Sequence, residues 1–143
     1  MRAVDTNILV YAQLATLPEY ETANALLGDL ATGAAPWVIP WPCVYEYLRV
    51  VSHPRFHHPP IAMRDAVAEL ADLFTSPSLN LVRETPDHWH ILKRVLDESG
   101  VSGNLIHDAH IVALCLEHGV SELITADRDF SRFPSLAIHN PFG

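Results

Sequence analysis

Short apolar runs punctuate the chain, and between them apolar residues recur every three or four positions. The run over residues 2–5 ends on Asp5, then Thr6-Asn7 precedes Ile8-Leu9-Val10-Tyr11-Ala12. This reads as a buried strand, a turn with capping residues and a helix. Pro18-Glu19 opens a second helix that carries Ala23, Leu26, Leu27 and Leu30 at helical spacing and stops near Gly33. Trp37-Val38-Ile39 is a short strand bounded by prolines. Pro42 marks a helix start, where its missing N–H costs nothing, and predicts a helix over 43–52 that ends before Pro54. Residues 52–60, crowded with proline, histidine and arginine, form a loop, and 61–74 an amphipathic helix. Residues 79–82 are strand-like. Pro86 starts a helix to about Ser99, with Trp89, Leu92, Val95 and Leu96 as its apolar face. A loop at 100–103 leads into a helix over 104–119 closed by Gly119, followed by strands at 122–125 and 136–138. Strands alternating with helices imply an α/β protein with a mostly parallel sheet covered on both faces. No internal repeat or linker divides the chain, so one domain over 1–143 is expected.

Composition narrows the class. Hydrophobic residues make up 49% and charged residues 18% of 143, enough apolar material for one core without disulfide staples and too little charge for a disordered chain. Cys43 and Cys115 lie in apolar helical patterns with no CxxC spacing; a disulfide between them is not signalled, and reduced core cysteines are expected. No signal-peptide pattern and no membrane-spanning run is visible, so a soluble cytoplasmic protein is expected. The net charge of −8 argues against a nucleic-acid coat, which needs a basic surface to displace counterions. It does not exclude an enzyme acting on nucleic acid, because metal-holding carboxylates count as negative in a sequence and are neutralised when loaded.

Four widely spaced acids are the candidate chemistry: Asp5, Glu46, Asp108 and Asp127. Asp5 ends the first strand, where ligands bind in open α/β sheets, although an N-cap role for the next helix explains it equally well. Asp108 follows Leu105 by three and precedes Val112 by four, on or beside the apolar stripe of its helix, where a carboxylate is costly unless paired or metal-bound. A first-turn acid stabilising the helix dipole is its plainer reading. Asp127 ends another strand, with Asp129 a rival two residues on. Glu46 stands alone among apolar and aromatic helix residues, with a salt bridge to Arg49 or Arg2 as the competing account. Taken together, an all-carboxylate set suits Mg²⁺ or Mn²⁺, which can acidify a water and stabilise charge on a phosphoryl group.

These residues, in this order, resemble the PIN-domain ribonucleases, and among them the VapC toxins of toxin–antitoxin pairs. The matching segments are Val4-Asp5-Thr6-Asn7-Ile8-Leu9-Val10-Tyr11-Ala12, Val44-Tyr45-Glu46-Tyr47-Leu48-Arg49-Val50-Val51, Gly103-Asn104-Leu105-Ile106-His107-Asp108-Ala109-His110 and Ile124-Thr125-Ala126-Asp127-Arg128-Asp129-Phe130. Each is weak alone, but four in order over residues 3–142 are fairly specific. The resemblance implies a three-layer α/β/α fold with a central parallel sheet and Mg²⁺- or Mn²⁺-dependent endoribonuclease activity. It maps the catalytic, metal-holding quartet onto Asp5, Glu46, Asp108 and Asp127. It also implies a homodimer, a VapB-type antitoxin partner that blocks the site, and a structured RNA substrate such as transfer RNA.

Other features read more plainly. His107 and His110 are three apart on a helix and His88 and His90 flank Trp89, but without an HExxH or Cys/His cluster they are read as structural or surface residues. His107 or His110 could still touch substrate near Asp108. The basic stretch of Arg49, His53, Arg55, His57, His58 and Arg64 could meet RNA phosphates, and is residue by residue more simply a solvated loop. Trp37 and Trp41 are expected to pack in the core or a dimer interface. Two other classes compete. An aspartyl-nucleophile phosphatase would use Asp5, but has Asn7 where a second acid belongs and no lysine near a strand end. A catalytically silent PIN-like binding module would have no need of an intact acid quartet.

Overall fold

The computed structural model describes residues 1–143. Its first strand, β1 (Arg2–Val4), runs straight into α1 (Thr6–Tyr11), and α2 (Tyr20–Thr32) leads to β2 (Trp37–Pro40). Next come α3 (Trp41–Val51), α4 (Met63–Leu73) and β3 (Leu79–Val82). The chain ends with α5 (His88–Ser99), α6 (Ile106–Glu117), β4 (Glu122–Ile124) and β5 (Ala137–His139). All five strands are parallel, in the order β3-β2-β1-β4-β5. From β1 the chain steps outward through β2 to β3, then crosses back to the other side of β1 to make β4. Right-handed crossovers that travel in opposite directions put their helices on opposite faces. Helices α1–α4 therefore cover one face and α5–α6 the other, the three-layer α/β/α arrangement that the alternation of elements implied. The reversal between β1 and β4 leaves a crevice at their carboxyl ends, the place where open α/β sheets bind ligands.

Residues that are apolar in sequence fill the middle of this sandwich. Ala3, Val4, Val38, Ile39, Leu123 and Ile124 are wholly buried, as expected for strands covered on both faces. Helix α6 buries Ala109 and every residue from Ile111 to Cys115, so it lies inside the molecule rather than on it. Cys43 and Cys115 are free and buried. Trp37 is a core residue, while Trp41 is half-buried against Tyr45 and Phe74.

Several boundaries and one face differ from the sequence expectations. Helix α3 starts at Trp41, because Pro40 serves as N-cap with extended backbone and Pro42 occupies the first turn; neither proline forfeits a helical hydrogen bond. Helix α5 starts at His88, whose N–H bonds to Thr85 O at 3.0 Å, so Pro86 lies in the preceding turn. Gly103 has φ of +61°, which bends the chain into a short 3-10 turn before α6 begins at Ile106. The last strand is displaced by one residue, to Ala137–His139. Trp89 does not join the buried face of α5: it is 69% exposed, and the helix packs through Ile91, Leu92, Val95 and Leu96 instead.

Candidate metal centre

Parallel pairing of Val4 with Ile124 brings the ends of β1 and β4 side by side, and with them Asp5 and the Thr125-Ala126-Asp127 turn. Asp5 is the N-cap of α1 and is almost wholly buried. Its Oδ1 accepts the Thr6 N–H at 2.7 Å and the Cys43 thiol at 3.6 Å. Its Oδ2 accepts the Thr125 hydroxyl at 2.7 Å and the Asn7 amide at 3.1 Å. Thr125 Oγ1 in turn accepts the Asn7 amide at 2.9 Å and the Asp127 N–H at 3.0 Å, and Asn7 Oδ1 accepts the Ala126 N–H at 3.0 Å. Asn7 and Thr125 thus stitch the β1 and β4 ends together and fix where both acids point. From sequence, Asn7 reads as a capping residue and as a missing second acid, and Thr125 and Cys43 have no assigned part in the site; a hydroxyl ending an apolar strand is the signal for Thr125.

Asp108 enters from the first turn of α6, and Asp127 is the N-cap of the 3-10 turn Arg128–Arg132, accepting the Asp129 N–H at 2.9 Å. One carboxylate oxygen from each of Asp108, Asp127 and Asp129 lies within 4.8 Å of the other two. The turn thus presents Asp129 beside Asp127. The electrostatics are those of an unneutralised acid cluster. Burial pushes the Asp108 carboxyl up to about 7, and the charges of Asp127, Asp5 and Asp129 add to the rise. Burial likewise raises Asp5, against the pull of its bonds from Thr125, Thr6 and Cys43, while the Asp127 charge raises it further.

Asp5, Asp108 and Asp127 open into a cleft of about 590 Å³ that also takes in Glu46, Arg49, His107 and His110. Glu46 is on the cleft wall but outside the carboxylate cluster. Both its oxygens are held by Arg49, at 2.5 and 3.1 Å, in an exposed pair one helical turn apart. Of the basic stretch proposed from sequence, Arg49 is the member that lines the cleft. Its guanidinium also lies over the Phe56 ring at 5.7 Å, and Arg55 bonds locally to His53. His107 reaches the cleft as an exposed side chain, and His90 points to solvent. His88 and His110 are drawn into bonds with Glu117 and Glu84.

The donor set decides what can bind here. Asp108, Asp127 and Asp129 offer only carboxylate oxygen, and the nearest cation to any of them is Arg132, 3.7 Å from Asp129 and mostly exposed. Oxygen donors, concentrated negative charge and an open approach fit a hard divalent ion of the Mg²⁺ or Mn²⁺ type. Such an ion would offset the like charges that add to the rise of Asp108.

Comparison with known proteins converges on one family. A family model described as PIN domain matches residues 2–136. Ribonuclease VapC48 of Mycobacterium tuberculosis is 34% identical over 138 residues, covering 96% of this chain and 95% of the relative. Among solved structures, VapBC2 from Rickettsia felis, bound to a DNA fragment from its promoter, superposes with a TM-score of 0.68 at 21% identity over 97% of each chain. Mycobacterium tuberculosis VapC20, described as a Sarcin-Ricin loop cleaving toxin, superposes with a TM-score of 0.66 at 19% identity, over 96% of this chain and 99% of that one.

Proposed function

The chain belongs to the PIN-domain family, among its VapC ribonucleases, and from that premise we propose that it is a toxin-type endoribonuclease, one domain long, that hydrolyses phosphodiester bonds in a structured RNA with Mg²⁺ or Mn²⁺. The observation that carries this reading is the convergence of Asp5, Asp108 and Asp127 on one cleft at the carboxyl ends of β1 and β4, with Asp129 within 4.8 Å of Asp108 and Asp127.

Asp5, Asp108 and Asp127 are the residues that would hold the ion, with Asp129 beside Asp127 and Glu46 on the facing wall. Bound there, a divalent ion supplies acidification of a water and counter-charge for the phosphoryl oxygens. The chain's own residues do the positioning. Thr125 and Asn7 lock Asp5 and the Asp127 turn in register, so the acid cluster is fixed before substrate arrives. Arg49 is the guanidinium on the cleft wall and would take a backbone phosphate, for which its planar fork is suited. Asn7 donates to Asp5 and stands where the aspartyl-nucleophile alternative needs its second acid.

The same site suggests the partner. An acid-lined cleft on a chain of net charge −8 is complementary to a cationic segment, and a VapB-type antitoxin carrying arginine would block it by charge as well as by bulk. Phe56, Met63 and Val67 are exposed around the start of α4 and offer an apolar face for the homodimer.

The test is metal removal. Purified full-length chain, incubated with end-labelled total RNA, should give discrete fragments with Mn²⁺ or Mg²⁺, none with excess EDTA, and fragments again when the ion is restored. Cleavage indifferent to EDTA would overturn the metal assignment, and absence of cleavage with every ion would overturn the enzymatic one.

A further inference from the structure

A second ligand set lies beside the acid cleft, made from residues that the nuclease chemistry does not use. Glu84 stands between β3 and α5, His88 is the first residue of α5, and His110 is in the second turn of α6. One donor atom from each lies within 4.8 Å of the other two. The His110 Nε2 to Glu84 Oε1 distance is 2.6 Å, and the two imidazole rings stand 5.5 Å apart at 66°.

What separates this group from two surface hydrogen bonds is the carboxylate beneath it. The Glu117 side chain is fully buried at the end of α6. Its Oε1 is held by both the Thr85 N–H, at 2.9 Å, and the Thr85 hydroxyl, at 2.8 Å, which leaves Oε2 for His88 Nδ1 at 2.6 Å. Carboxylate oxygen only accepts, so Nδ1 carries the proton in this contact, and it is the Nε2 of the neutral ring that is left as the metal-binding nitrogen. A buried carboxylate that fixes the tautomer and orientation of an imidazole is the outer-shell device of metal-binding histidines. Exposure rises through the set, from 21% for the His88 side chain to 32% for His110 and 47% for Glu84, so the donors open outward.

We propose that Glu84, His88 and His110 form a second metal site, for a borderline transition-metal ion of the Zn²⁺ type, oriented by Glu117 and distinct from the carboxylate centre. Two imidazole nitrogens and one carboxylate are the donor types that zinc prefers and that Mg²⁺ does not. Tetrahedral zinc bonds place neighbouring donors roughly 3.4 Å apart, which small side-chain rotations in this group supply. Three protein ligands leave a fourth position for water or for a substrate group. The ion would tie the loop after β3 and the start of α5 to α6 at the lip of the cleft, since His110 lines both the cleft and the adjoining groove that holds Glu84 and Arg83.

The test uses the full chain stripped of metal, with Mg²⁺ in excess to occupy the carboxylate centre. Zn²⁺ binding is followed by titration calorimetry and thermal shift, and Co²⁺ by its d–d absorption. The site predicts one equivalent of Zn²⁺, a rise in melting temperature, and an intense low-symmetry Co²⁺ spectrum, all retained in Asp108→Asn. His88→Ala and His110→Ala should lose all three, and Glu117→Gln should weaken Zn²⁺ ten- to a hundredfold. Circular dichroism of the metal-free variants checks folding, and His88→Gln serves as a milder replacement should alanine unfold α5. Zinc binding that vanishes in Asp108→Asn, or that survives unchanged in folded variants of both histidines, would overturn the proposal.

Discussion

Two polar clusters flank the cleft, and they are built alike below and differently above. Beneath each lies a buried carboxylate tied down by its own chain: Asp5 by Thr6, Cys43, Asn7 and Thr125, and Glu117 by Thr85 and His88. Above Glu117, the imidazoles of His88 and His110 meet carboxylates, so opposite partners satisfy one another. Above Asp5, Asp108, Asp127 and Asp129 meet mainly one another, and burial together with the neighbouring charges raises Asp108 to about 7. The difference teaches what each centre lacks. The imidazole group is complete as a hydrogen-bonded unit and selects a metal by donor type. The acid group has only the mostly exposed Arg132 as a cationic neighbour, and burial and like charge together disfavour its ionised form.

The comparison is most easily broken at Asp108. Asp108→Asn keeps the shape and hydrogen-bonding size of the side chain and removes one charged oxygen donor. Loss of transition-state charge stabilisation of several kcal/mol corresponds to roughly a thousandfold or more in cleavage rate. Single-turnover cleavage of labelled RNA in Mn²⁺ reads this directly. A variant within tenfold of wild type would mean that the acid cluster is no more catalytic than the imidazole one.

Asp5 sharpens the parallel with Glu117. Its two oxygens accept four hydrogen bonds, the thiol contact from Cys43 being the longest at 3.6 Å. Asp5→Asn, which retains N-cap ability, should weaken Mn²⁺ affinity by at least tenfold, and by about ten- to a hundredfold if Asp5 acts through the bonds it makes. A loss as deep as that of Asp108→Asn would put an Asp5 oxygen on the ion, and unchanged affinity would end the analogy. Isothermal titration with Mn²⁺ separates the three outcomes.

How much of this was legible in sequence follows from the range of the forces involved. The strand–helix alternation was readable because burial of apolar faces imposes a period, and the parallel three-layer sheet follows from it. Asp5 and Asp127 were readable because strand ends are local features. Their meeting required the β1–β4 pairing, 120 positions apart in the Asp5–Thr125 hydrogen bond, which no local pattern contains. The imidazole set escaped for the same reason: Glu84, His88, His110 and Glu117 share no metal-ligand spacing and converge only because α5 packs on α6. Trp89 was misassigned because aromatic character was taken as a sign of burial, whereas its position on α5 faces away from the sheet and leaves it exposed. The Glu46–Arg49 pair was foreseen as an alternative, since residues three apart on a helix are neighbours.

The smallest effect measures the combined cost of burial and neighbouring charge at Asp108. In the unfolded chain Asp108 has its ordinary value of 3.8, and in the metal-free fold it stands at about 7. Between these values the folded chain keeps a proton that the unfolded chain has released. The associated stability is therefore fully present below about pH 4 and is lost as pH rises through 7. Asp5, also raised, adds a loss of the same sign. Asp108→Asn has no such proton to lose and relieves Asp5 and Asp127 as well. In EDTA, wild type should thus lose stability from pH 4 to pH 8 more steeply than the variant. Above pH 7 the variant should be the more stable by on the order of 1–2 kcal/mol, the solvent on the open side of the cleft screening the rest. That difference is roughly 2–8 °C in melting temperature. Saturating Mn²⁺ should reverse the order, because the ion binds the folded wild type more tightly than the variant. Parallel pH curves in EDTA would mean that neither burial nor neighbouring charge disfavours the ionised Asp108, and the contrast between the two clusters would fall with that result.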